Sequence, residues 1–196
     1  MKHLLPALGA VLLLAACAAP APPPQLYQLR SAPPLPVVAA SVAVAGTEVL
    51  QLVLPVVLPE LLERDALLLP QGQAGVQALA GHRWAEPLRD AVPRLLRQDL
   101  AALLGQARVW IAPLPPGVAV TRLLRVELLQ LQTAADRRAV TLQARWTLAD
   151  PLGRSAPLVQ TLELTVPTTG SEPDAWVVAH RLALWRLAEQ VAQSLR

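Results

Sequence analysis

Between residues 140 and 148 the chain alternates. Val140, Leu142, Ala144, Trp146 and Leu148 stand at every second position, with Thr141, Gln143, Arg145 and Thr147 between them. A period of two is what a strand with one buried face requires. Leu162, Leu164 and Val166 against Thr161, Glu163 and Thr165 repeat the pattern, and Asp150-Pro151-Leu152-Gly153 supplies turn residues between the two runs. Upstream, Leu124, Val126 and Leu128 alternate with Arg125 and Glu127 before the phase slips to Leu129 and Leu131, which predicts a bulge near Leu128. Residues 120–166 are therefore expected to form a three-stranded antiparallel meander.

Two segments change to helical spacing. In residues 84–105, Leu88, Val92, Leu95, Leu96, Leu103 and Leu104 share a face and Gly105 is a natural stop. Pro93 leaves two options: a late start with Asp90 as the cap, or a bend at the proline. In residues 171–196, Val177, Leu184, Leu187, Val191 and Leu195 form the apolar stripe, and Ser171 and Asp174 have capping-box spacing. Shorter apolar runs predict strands at 26–30, 41–54 (one bent strand or two), 65–70 and 107–112, while 71–75 and the region of His82 read as loop. Oily-faced strands and two one-sided helices fit an α+β fold. Its expected form is a mostly antiparallel, mixed sheet with both main helices on one side.

The N-terminus follows another rule. Lys2 and His3 precede an apolar run over residues 4–16, and small residues lead into Cys17, the sole cysteine. That is the layout of an export signal, and about 13 apolar residues fall short of the ~20 needed to span a bilayer as a helix. Leu14-Ala15-Ala16-Cys17 is similar to a bacterial lipobox. Residues 1–16 are thus expected to be a signal peptide cleaved between Ala16 and Cys17. The Cys17 sulfur accepts a diacylglycerol through a thioether, and the new amino terminus is acylated. One acyl chain binds a membrane marginally, whereas two or more hold firmly. Ala18 stands where Asp would signal retention at the inner membrane, which favours the outer membrane. Residues 17–25 form a proline-rich tether that, extended at ~3.1 Å per residue, reaches about 25 Å. Residues 26–196 form a single domain.

Composition adds little to this. Hydrophobic residues make up 54% of 196, enough for a sizeable core. The formal charge of +3 and a pI near 10.0 would suit nucleic acid, but the arginines are interspersed with acids and apolar residues and never form a block. Removing Lys2 with the signal leaves 16 Arg against 14 acids. Catalytic constellations are missing as well. Beyond the signal only His82 and His180 remain, the latter bordering an apolar stripe, and with Cys17 committed to lipid a structural zinc site is excluded. There is no nucleophile elbow and no phosphate-cradling loop. Glu60, Glu63 and Asp65 surround Arg64 and read as a solvated turn. All five tryptophans default to core, with Trp84 the main exception. No enzyme, no metal and no cofactor beyond the acyl modification are expected.

The runs 58–69, 81–105 and 144–154 and the closing helix, in this order, resemble the ABC-type transport auxiliary lipoproteins, the group that includes the PqiC lipoproteins. Arg83-Trp84-Ala85-Glu86-Pro87-Leu88 is the most specific match. The resemblance implies an α+β, periplasm-facing outer-membrane lipoprotein. Such a protein serves a transporter made of an ATPase, a permease and an MCE-domain subunit that carries lipids between membranes. The chain's expected part is docking, and Arg83, Trp84, Glu86 and Pro87 are the candidate structural or interaction motif. The alternative is an envelope assembly or structural lipoprotein that partners an outer-membrane protein. Whether the domain forms a homo-oligomer stays open.

Overall fold

The computed structural model describes residues 22–32 and 46–195. The expected signal peptide, Cys17 and the predicted strand residues 41–45 lie outside them.

The meander forms where the alternation placed it. Strands β6 (Arg122–Thr133), β7 (Ala139–Ala149) and β8 (Leu158–Pro167) pair antiparallel, with Trp146 opposite Val126 and Gln160. The register shifts between Leu128 and Gln130, where the phase slip predicted a bulge. Two short strands, β2 (Leu50–Leu52) and β5 (Val109–Trp110), complete a five-stranded sheet of order β5-β2-β6-β7-β8. β2 runs parallel to β6 and to β5, so among the described residues the predicted strands at 41–54 and 107–112 contribute only these cores.

Helix α1 (Leu88–Leu104) and helix α2 (Pro173–Gln193) carry the apolar stripes read from the sequence. α2 lies across β6, β7 and β8, and α1 packs beside it and reaches β5. Held between sheet and helix, α2 buries more than one stripe. Trp176, His180, Arg181, Trp185 and Ala188 are covered along with Val177, Leu184, Leu187 and Val191. Trp146 Nε1 donates to Ser194 Oγ (3.1 Å), so the buried indole on β7 finds its partner just past the end of α2.

Neither helix uses the side-chain cap that the sequence offered, and of the two options at Pro93 the late start is the one not taken. α1 begins at Leu88 after Pro87, not with Asp90 as cap, and Pro93 lies inside it. The Asp90 and Ala91 amides donate to the Pro87 carbonyl (3.0 and 3.1 Å), which starts the helix without a side-chain cap. The Ser171–Asp174 capping box does not form either. Glu172 precedes α2, and Pro173 takes the first turn, where its missing N–H costs nothing.

The larger difference is a second sheet. Strand β4 (Gly75–Trp84) fills the stretch read as loop and helix start. It pairs antiparallel with β3 (Ala66–Gln71) and parallel with β1 (Gln25–Tyr27), giving the order β1-β4-β3. The α+β class and the mixed sheet stand as read, with the strands divided between two sheets. β4 escaped the periodicity argument because it buries no face: no β4 residue is fully buried and Gly75–Ala78 are exposed, so no hydrophobic alternation was needed. The β3–β4 turn depends on two glycines. Gly72 has φ 63°, and a Cβ on Gly75 would meet the Gln71 carbonyl oxygen at 2.7 Å.

Candidate functional site at the N-terminal junction

The described N-terminal segment, which continues the proline-rich run, is fastened to the domain by four successive devices. The ladder comes first: Gln25, Leu26 and Tyr27 pair with His82, Arg83 and Trp84, and the Ala85 amide donates to the Tyr27 carbonyl (2.8 Å). Side chains repeat the link. The Tyr27 hydroxyl donates to Gln25 Oε1 (2.9 Å) and accepts from His82 Nδ1 (2.9 Å), and the two rings stack with centroids 5.6 Å apart. Burial first, and the Asp174 and Glu172 carboxylates after it, hold the Tyr27 hydroxyl above its ordinary pKa, so it stays protonated.

Leu29 is the second device, a plug only 1% exposed in the core. Third, Glu86 accepts from Arg94 (2.5 Å) and from Gln28 Nε2 (3.4 Å), while Arg94 Nη1 reaches Ser31 Oγ (3.3 Å). These groups are partly solvated, and such pairs are worth about 0–1 kcal/mol.

The fourth device is buried. Arg181 on α2 forms a two-pronged pair with Asp99 on α1, Nη1 to Oδ2 at 2.8 Å and Nη2 to Oδ1 at 2.6 Å. Its remaining N–H groups turn to the N-terminal segment: Nε donates to the Arg30 carbonyl (2.7 Å) and Nη2 to the Ser31 carbonyl (3.0 Å). Arg181 is 3% exposed and Asp99 2%. One planar guanidinium thereby joins three parts of the chain, a task suited to arginine's fixed fork of donors. Desolvation pushes the Asp99 carboxyl up to about 6, against the downward pull of Arg181.

Sequence reasoning passed over this pair, although a signal existed. Asp99 falls at helical spacing on the stripe of Leu95, Leu96 and Leu103, and Arg181 falls between Val177 and Leu184. Opposite charges interrupting two apolar stripes call for one another, because a lone buried charge is not tolerated.

The candidate motif lies at this junction but not as one cluster. Trp84 and Glu86 face the contacts above. Pro87 starts α1 with φ −59° and ψ 135°. Arg83 is exposed on β4, opposite Leu26 in the ladder. His180 is buried behind Trp84, their rings meeting edge to face at 5.6 Å. Its Nδ1–H donates to the Trp176 carbonyl (2.8 Å), and burial lowers its pKa to about 4, so it is neutral at physiological pH. A cavity of about 30 Å³ opens between Trp84, His180, Trp176 and β3. It has room for a water or two. Trp176 Nε1 beside it is buried without a protein partner among the described residues.

Among the described residues no group of three or more His, Cys, Asp or Glu could hold a metal ion, and no helix is long and apolar enough to cross a membrane. Glu60 and Glu63 are exposed on a 3-10 turn. Trp146, Trp176 and Trp185 are core, as expected, while Trp84 and Trp110 are half-buried.

No curated protein matches the chain significantly. Two solved structures share its fold. One, described as an uncharacterized protein, has a TM-score of 0.68 at 18% identity, covering 89% of this chain and 100% of its own. The other, from Xanthomonas campestris and carrying the DUF330 family model, has a TM-score of 0.66 at 14% identity, covering 87% of this chain and 94% of its own. The family described as the ABC-type transport auxiliary lipoprotein component matches residues 27–192, from Tyr27 in the ladder to Ala192 near the end of α2. That match takes in the last residue of β1, the other strands of both sheets and both helices to the last turn of the second, and the chain belongs to this family of transport auxiliary lipoproteins.

Proposed function

We propose that the chain is a lipid-anchored, periplasm-facing docking subunit at the outer membrane, serving an ABC/MCE-type system that carries lipids between the two membranes. The observation that carries this reading is the buried Asp99–Arg181 pair with its grip on the Arg30 and Ser31 carbonyls. A domain held to a bilayer through its N-terminus and engaged by a transport assembly on its far side bears load at this junction. Residues that fasten the leading segment to the two long helices suit that duty. Trp84, Glu86 and Pro87 serve the same corner by setting the turn from β4 into α1, and Arg83 offers an exposed contact. The role is mechanical and recognitive rather than catalytic: the neutral, buried His180 bonds a backbone carbonyl, and the half-buried His82 is engaged by Tyr27, whose hydroxyl stays protonated and helps hold the N-terminal segment.

Cys17 supplies the attachment. Cys17→Ser is expected to leave the urea-unfolding midpoint of the domain unchanged and to abolish flotation with membranes, since neither α1 nor α2 spans a bilayer. Mass spectrometry of the envelope-purified protein checks the same point, and a free thiol at residue 17 sinks the anchor. Docking is tested by capture of the mature domain on an MCE-domain subunit. Failure to bind at micromolar concentration sinks that part of the reading and favours a role in envelope assembly.

A further inference from the structure

The β3–β4 hairpin projects from the domain with an unusual composition. From Ala66 to Gly81 no side chain bears a charge, although 16% of the chain is Asp, Glu, Lys or Arg. Exposed strands normally carry charges that prevent unwanted pairing. Here the residues of the outer half, Gln71–Ala78, are all exposed, with Val76 46% accessible, and the polar groups are glutamine amides. Burial in the core does not account for this, because only the base of β3, Leu67 and Leu69, is covered.

Its direction is fixed by the ladder. β1 runs parallel to β4, with Gln25 opposite His82. Going backward from Gln25 toward the N-terminus is therefore going backward along β4, from His82 toward the hairpin tip at Gly75. Pro22, Pro23 and Pro24 precede Gln25; they have no N–H to extend the ladder and favour an extended course. The seven residues from His82 to Gly75 measure about 23 Å at ~3.3 Å per residue. The eight residues from Gln25 back to Cys17 span at most about 28 Å. Pro22–Pro24 thus lead back toward the hairpin tip, and the length of chain to Cys17 is enough to reach as deep as the tip does.

We propose that the uncharged tip of this hairpin, Gln71 to Val76, rests on the lipid headgroup surface as a second contact beside the acylated Cys17. The inference depends on the anchor proposed above. Small and amide side chains at the tip enter the interface without the cost of desolvating a charge. Two contacts fix the orientation of the domain where one flexible anchor would leave it free to swing. The foot of β4 and the start of α1 then face away from the membrane, toward the periplasm.

The test uses mature, acylated chain in vesicles of phosphatidylethanolamine and phosphatidylglycerol that contain a headgroup spin-labelled lipid. Ala74→Cys at the tip and Ala85→Cys at the foot each carry a thiol-linked environment-sensitive fluorophore; the acylated Cys17 does not react. Quenching is expected to be several-fold stronger at position 74 than at 85. Duplicating residues 18–25 to lengthen the tether should abolish that difference while flotation persists. Equal quenching at both positions, or none at 74 in chain that floats, overturns the hairpin contact and leaves the anchor standing. Loss of flotation with an unmodified residue 17 overturns the anchor, and the hairpin contact with it. A fluorophore at 74 that no lipid quenches but that responds to the transport subunit assigns the hairpin to a protein partner and overturns the proposal.

Discussion

Asp99→Asn will destabilise the domain by about 3–5 kcal/mol, the loss typical of removing one partner from a buried ion pair. The amide keeps the shape of the carboxylate but leaves the Arg181 cation, 3% exposed, facing a neutral group. Urea unfolding followed by the buried Trp146, Trp176 and Trp185 measures the change. Arg181→Met will cost a similar amount and have a local effect as well, because the Arg30 and Ser31 carbonyls lose their donors. Trypsin should then cut after Arg30 under conditions where the parent chain resists, whereas Asp99→Asn, which retains those donors, should be cut less readily than Arg181→Met. The double variant Asp99→Leu with Arg181→Met will recover much of the global stability, since apolar replacement of a whole buried pair is often neutral or better. It will not recover protection at Arg30. A loss below about 1 kcal/mol for Asp99→Asn would mean the pair is hydrated and does not carry the junction.

Acid will weaken the parent chain relative to His180→Leu. The His180 pKa falls from 6.5 in the unfolded chain to about 4 in the folded one, because burial disfavours the imidazolium. A depressed folded value means the unfolded state binds the extra proton between those limits. Stability from the neutral ring is fully present above pH 6.5 and is lost as pH falls toward 4. The shift corresponds to about 3 kcal/mol. Asp99, whose carboxyl burial raises to about 6, titrates in parent and variant alike, so the comparison cancels its part. Leucine at position 180 removes the histidine term alone. The stability of the variant relative to the parent should rise by about 3 kcal/mol between pH 7 and pH 4. A difference that does not change with pH would show that His180 is solvated in the folded state.

The first effect arises at positions that interrupt an apolar stripe, the second at one that borders it. Asp99 and Arg181 interrupt the helix faces that Leu95, Leu103, Val177 and Leu184 made legible. The interruptions were visible, but their pairing was not. Residues separated by 82 positions meet only because α1 lies against α2, and a one-dimensional pattern carries no record of that. Arg30 and Ser31 were less legible still, since the groups that Arg181 holds are backbone carbonyls, identical in every residue.

The sequence by itself determined the elements whose side chains are sorted by burial: the β6–β7–β8 meander with its bulge, the two helices, and the tryptophans of the core. Those follow because a buried face imposes a period of two or 3.6 on the order of residues. Only the tertiary structure decided the strand β4, the parallel seating of β1 on it, the second sheet and the buried junction. There the deciding interactions are backbone hydrogen bonds and contacts between distant positions. An exposed strand such as β4 needs no hydrophobic alternation to pair, so its sequence was free to look like a loop.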